Sequence, residues 1–293
     1  MTIAAILAEI TKQTADTAAE TGMEFDWPDI VVCVVGVTIL AAWLLRTRLG
    51  KDALIDSKPR RNMLPIWALV VVFLLWTGIV LIGMPLLSVI FDDMGHTQKK
   101  ISDTILVIAA HIAGTLLAIY FARKFFSRGL KGFGFDLRTI PRDMPIAIIN
   151  LLAVLPLVFA ALLIIVQIGK MTSGPDYHVP QHQELQNIQQ STNASLHILI
   201  VISTIFVVPI FEEIFFRGLI QTTIKSFVKK PWISITAASL IFVSFHADLA
   251  HWPALLVLGM CMGYAYEKSG SLWRAIFIHA TFNAMGTIAT LFA

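Results

Sequence analysis

Eight apolar runs follow one another along this chain: Ile30–Leu45, Met63–Ile90, Thr104–Ala122, Met144–Ile168, Leu196–Ile220, Trp232–Phe245, Trp252–Tyr266 and Leu272–Phe292. A helix needs about 20 residues to cross the hydrocarbon of a bilayer, within a range of about 17–25. The runs therefore predict an all-α fold: a polytopic membrane helical bundle of about eight transmembrane helices. The first, sixth and seventh runs are short and must borrow flanking residues or tilt. No internal repeat, low-complexity tract or soluble domain interrupts the series.

Composition agrees with this pattern. Hydrophobic residues make up 57% of the 293 positions and charged residues 14%, against about 25% charged in an average soluble domain. Mean hydropathy is +0.77. The lipid bilayer is the partner these values imply, and the net charge of +3 carries no argument for nucleic acid. Cys33 and Cys261 each sit in an apolar run and read as small buried hydrophobes. With one thiol per run, a Cys-based zinc motif is excluded.

The connections set the orientation. Arg46, Arg48, Lys51, Lys58, Arg60 and Arg61 follow the first run. Arg123, Lys124, Arg128, Lys131, Arg138 and Arg142 follow the third, Lys225, Lys229 and Lys230 follow the fifth, and Lys268 and Arg274 flank the last turn. The alternate connections are poorer in Lys and Arg. Basic loops stay cytoplasmic, so both termini are expected outside, in a multi-pass protein of a prokaryotic plasma membrane. Residues 1–29 carry six acidic residues against Lys12. They lack the basic region that opens a signal peptide, and are expected to form a short surface helix or a disordered extramembrane arm. The polar Gly169–Ser195 connection, with His178, His182 and Glu184, reads as an ordinary loop. Its Asn193-Ala194-Ser195 matches a glycosylation acceptor.

Candidate chemistry lies where charge interrupts the fifth run, at Pro209-Ile210-Phe211-Glu212-Glu213-Ile214-Phe215-Phe216-Arg217-Gly218. Ionisable side chains at bilayer depth are costly and are functional candidates by default. Glu213 and Arg217 are spaced i, i+4 and can pair on one helix face. Glu212 is turned about 100° away and gains no such partner within the segment. Downstream, Phe242 and His246 are four apart near the end of the sixth run, as are His279 and Asn283 in the eighth. A rise of about 1.5 Å per residue puts Glu212 about 18 Å from the cytoplasmic end of its span, His246 about 21 Å, His279 about 12 Å and Asn283 about 18 Å. Antiparallel helices would bring these groups to a similar level. A Glu, two His and an amide can activate water and stabilise an oxyanion. The same Glu and His residues can instead ligate a metal. There is no His-Glu-x-x-His helix.

The three segments resemble the signature of the CPBP family, which includes the CAAX prenyl endopeptidases of the Ras-converting type and bacterial bacteriocin-processing and abortive-infection proteins. The signature stands here as Glu212-Glu213-Ile214-Phe215-Phe216-Arg217, Phe242-Val243-Ser244-Phe245-His246 and His279-Ala280-Thr281-Phe282-Asn283. The resemblance covers the segment 196–293, expected to be a catalytic core; the N-terminal arm (1–29) and the N-terminal membrane helices with their polar loop (30–195) precede it and match only in general character. The resemblance implies an intramembrane endopeptidase acting on a membrane-associated peptide or protein, prenylated and CAAX-like in some members. Carried over, Glu212 is the general base on water with His246 beside it. His279 and Asn283 form the oxyanion site, and Glu213 with Arg217 holds the helix and tunes charge. No cofactor is expected; the alternative is a divalent metal such as zinc at Glu212, His246 and His279. A non-catalytic immunity or scaffold protein and an ion or proton transporter are the competing readings.

Overall fold

The structure is a computed structural model that describes residues 27–57, 62–93, 95–180 and 183–292. Residues 1–26 of the acidic arm, Lys58, Arg60 and Arg61 of the first basic connection, and His182 lie outside the described residues. Ten helices are described: α1 (Trp27–Arg46), α2 (Ile66–Ile90), α3 (His96–Phe125), α4 (Gly129–Phe133), α5 (Ile140–Ser173), α6 (Gln183–Gln189), α7 (Ala194–Val228), α8 (Pro231–Ser244), α9 (Trp252–Ser269) and α10 (Leu272–Phe292). Eight of them take up the eight apolar runs. Six segments are long and apolar enough to cross a membrane: Asp29–Arg46, Ile66–Ile90, His96–Phe125, Leu137–Ser173, Ala194–Val228 and Leu249–Ser269. The chain is a multi-pass, all-α membrane protein. Its outward apolar side chains fit this: Leu81 is 73% and Val89 75% exposed, and hydrocarbon is the medium that accepts such a face.

Local chemistry sets the helix ends. α7 begins after Asn193, whose side-chain oxygen accepts the Leu196 N–H at 3.0 Å, satisfying a donor that the first turn leaves without a partner. It ends at Lys229, which takes the left-handed conformation with φ 56°, two residues before Pro231. The Gly169–Ser195 connection departs from the loop expected of it. α5 runs on to Ser173, and α6 forms in the second half. Ile188 of α6 is buried with Leu196 and Ile200 of α7. The His197 Nε2–H reaches the carbonyls of Ile188 (3.0 Å) and Ser191 (2.6 Å), which ties α6 to the start of α7.

Contacts divide the chain into two units. The first comprises Met1–Ile55, Ile149–Pro180 and Phe242–Cys261. In it α1 and α5 approach closely at Gly36, where a Cβ would meet the Leu152 carbonyl and the Pro156 ring. The second comprises Asp56–Ile148, Gln181–Ile241 and Met262–Ala293. In it α2 and α3 form a hairpin that packs on α7 through Trp76, His111, Phe211 and Phe215, with ring centroids 4.9–5.7 Å apart. Two ion pairs tie helix ends in this unit. Arg274 donates to Asp143 Oδ1 through Nε (3.0 Å) and Nη2 (2.9 Å), and Lys225 bonds Glu267.

Candidate active site

α7 is not a uniform α-helix. Two stretches, Ser203–Val207 and Glu213–Gln221, are π-helical, with hydrogen bonds that close five residues back, a rare form that is frequent at functional sites. The first stretch has a readable consequence. The Val208 N–H bonds the Ser203 carbonyl, so in the same register the Thr204 carbonyl would look to residue 209. That residue is Pro209, which has no N–H. The Thr204 carbonyl instead accepts a hydrogen from Asn283 Nδ2 at 2.9 Å. α10 is thereby fastened to α7 at Thr204, about two helical turns before the acidic pair.

The second stretch holds the charges, and all nine of its residues are buried. Glu213 and Arg217 have fully buried side chains, with Arg217 Nη1 3.2 Å from Glu213 Oε1. His279 of α10 joins them. Its Nδ1 lies 2.9 Å from the same Glu213 oxygen, and its Nε2 lies 3.6 Å from Glu212 Oε2. The imidazole thus sits between two carboxylates, one held by a guanidinium. Glu212 is the more open of the two, with its side chain 15% exposed where Glu213 is at 0%. The structure brings Glu212, Glu213, Arg217, His279 and Asn283 together in the second unit.

Phe242 and His246 belong to the first unit. α8 ends at Ser244, so His246 sits just beyond the helix rather than within it. His246 Nδ1 lies 3.1 Å from the Phe242 carbonyl. A carbonyl only accepts, so this bond puts a proton on Nδ1. The Trp252 indole N–H donates to the His246 carbonyl at 2.9 Å, and the Phe242 ring stands edge-on at 4.8 Å. Farther along the same connection, His251 contacts Asp248 at 3.5 Å.

Around the π segment lie contacts that inspection of the sequence missed. The Phe133 ring of α4 lies on Gly218, where a Cβ would have no room. The Phe133 carbonyl accepts the Tyr266 hydroxyl at 2.9 Å, and Gln221 Nε2 donates to the Gly263 carbonyl at 3.1 Å. A glycine directly after Arg217 was the one signal for the close approach.

Among the described residues no group of three or more His, Cys, Asp or Glu side chains is spaced to hold an ion. The bond to Glu213 takes His279 Nδ1 and leaves Nε2 facing Glu212.

Residues 194–285 match the sequence model of the family described as "Type II CAAX prenyl endopeptidase Rce1-like". This segment is Rce1-like. It contains all three motifs, and the CPBP resemblance read from them holds over it. The chain is also 31% identical over 94 residues to a protein titled "Putative membrane peptidase YdiL" from Bacillus subtilis (strain 168), an alignment that covers 32% of this chain and 38% of that one. The chain thus spans well under half the length of that curated relative. No solved structure matches significantly. Within the Rce1-like segment, Glu212, Glu213 and Arg217 come from α7 and His279 and Asn283 from α10. The matched region supplies both walls of the site.

Proposed function

We propose that this protein is an intramembrane endopeptidase that hydrolyses a peptide bond of a membrane-associated substrate through a water activated by Glu212. The observation that carries the reading is His279 held between Glu213 and Glu212 inside the Rce1-like segment. At 3.6 Å, Glu212 Oε2 and His279 Nε2 are too far apart for a direct hydrogen bond, a spacing at which a shared water is the natural bridge. Glu212, the reachable carboxylate, takes a proton from that water as its oxygen bonds the peptide carbonyl carbon. Glu213 accepts from Nδ1–H and fixes the ring, as a buried carboxylate does for a catalytic imidazole.

The carbonyl oxygen gains negative charge in this step. An amide nitrogen has two hydrogens. Asn283 gives one to Thr204 and keeps the other for that oxygen, with His279 Nε2–H as the second donor when both ring nitrogens carry protons. The proton on Glu212 then moves to the amide nitrogen as the C–N bond breaks. The motif assigns His246 to orienting the water. No step passes through a metal. The substrate class follows the family description, CAAX-like prenylated proteins, or other peptides presented at the bilayer.

The test is N-terminal peptide mapping of membranes from cells expressing the wild type or Glu212→Gln at equal levels. New peptide ends found only with the wild type are expected, and they identify the substrate. Identical maps with the cellular phenotype kept by Glu212→Gln overturn the peptidase and favour a scaffold. A phenotype lost without any new ends points instead to a transporter.

A further inference from the structure

A second site lies away from the candidate active site, at the end of the α2–α3 hairpin. A cavity of about 430 Å³ opens there, with Met84, Leu87 and Phe91 supplying apolar wall and Lys99, Ser102 and Asp103 the polar groups. Its volume falls in the range of about 300–1,000 Å³ typical of small-molecule sites.

Helix length fixes its level in the bilayer. α3 has 30 residues, about 45 Å at 1.5 Å per residue, against about 30 Å of hydrocarbon. Its apolar stretch begins only at Thr104, and His96 to Asp103 hold its one acidic residue, Asp103, and the first two of its three lysines, so this polar end projects toward the headgroups. The cavity therefore straddles the boundary between headgroups and acyl chains.

The charges in it are unequally satisfied. Lys99 Nζ lies 3.4 Å from Asp92, whose side chain is 85% exposed. Such a surface pair is worth about 0–1 kcal/mol, so Lys99 can exchange it for a stronger anion. Asp103 is half-buried, and no cation pairs with it among the described residues. Lys99 and Asp103 are four apart on one helix face, with Cβ atoms about 5–6 Å apart, yet Lys99 turns to Asp92 instead. A half-buried carboxylate beside apolar wall calls for N–H donors.

The geometry points to a binding site for a phospholipid whose headgroup joins a phosphate to a primary ammonium, as in phosphatidylethanolamine. The ammonium donates to Asp103, the phosphate takes Lys99 with the Ser102 hydroxyl near it, and an acyl chain runs along Met84, Leu87 and Phe91. A quaternary ammonium has no N–H to give Asp103, and a glycerol headgroup has no charge to give it. The site does not depend on the peptidase reading.

Native mass spectrometry of the full chain, released from vesicles containing equal parts of phosphatidylethanolamine, phosphatidylcholine and phosphatidylglycerol, tests it. Phosphatidylethanolamine is expected to be retained about tenfold over each of the others, the equivalent of about 1.4 kcal/mol. Asp103→Asn should erase that preference, and Lys99→Ala should lower retention of all three lipids. Both variants should keep the helical circular dichroism of the wild type, since both positions face the boundary. Equal retention of the three lipids by the wild type overturns the site, as does a preference that survives Asp103→Asn. Displacement of every lipid by an amine-bearing amphipathic peptide gives the cavity to a peptide and also overturns it.

Discussion

Gly218→Ala probes the packing that holds the π segment in register. The added methyl would point into the Phe133 ring, with Cε2 at 2.7 Å, Cε1 at 3.2 Å and Cζ closer still. Carbon atoms pack best at about 3.5–4.0 Å, so the ring must retreat by roughly an ångström. It has little freedom to do so. Phe133 is fully buried, and its carbonyl holds the Tyr266 hydroxyl. The next residue, Gly134, turns the chain at φ 105° and accepts the Leu272 N–H at 3.0 Å.

Overpacking of a tight core costs about 1–3 kcal/mol, and a clash with an anchored ring belongs at the upper end. Replacing glycine by alanine inside a helix returns about 1 kcal/mol. The net expectation is a destabilisation of about 2 kcal/mol, close to 30-fold in the unfolding equilibrium. Unfolding by SDS titration in mixed micelles, followed by circular dichroism, measures it. Adding Phe133→Leu to Gly218→Ala makes room for the methyl, and the double variant should recover at least about 1 kcal/mol relative to additivity. A neutral or stabilising Gly218→Ala refutes the reasoning, as does strict additivity with Phe133→Leu.

Three further outcomes follow from the site. Glu213→Gln removes the negative partner of a fully buried Arg217. The loss should be about 3 kcal/mol, the lower end of the range for breaking a buried pair, because Arg217 has other interactions; the same SDS titration reads it. Asn283→Ala leaves the Thr204 carbonyl without the donor that replaces the absent N–H of Pro209, and should cost about 1–3 kcal/mol together with a fall in the appearance of product ends. Proteolysis by membranes should survive metal chelators such as 1,10-phenanthroline, whereas inhibition reversed by added zinc would contradict the metal-free step.

The fold was legible because its signal is long. Eight apolar runs cannot be confused with soluble structure, and eight helices take them up. Chemical candidates were legible for a related reason: Glu212, Glu213, Arg217 and His279 are expensive in such runs, so each stands out singly. Short elements were not. α4 is five residues with a single buried aromatic, and α6 shows only Leu185 and Ile188, three apart, in an otherwise polar stretch. The Asp143–Arg274 pair joins residues 131 positions apart, a distance no local pattern spans.

What stayed hidden at the site itself was the backbone. An α-helical reading turns Glu212 away from its neighbours and assigns Glu213 to Arg217, and it offers no reason for Asn283 to touch α7. With a π turn at Ser203–Val207, the missing N–H of Pro209 becomes a vacant acceptor at Thr204, and the amide of Asn283 fills it. His279 lies one turn along the same helix, four residues before Asn283, so fastening the amide carries the imidazole to the level of Glu212 and Glu213. A proline inside an apolar run would ordinarily mark a kink. Here its missing donor serves as the docking point that sets the height of the histidine.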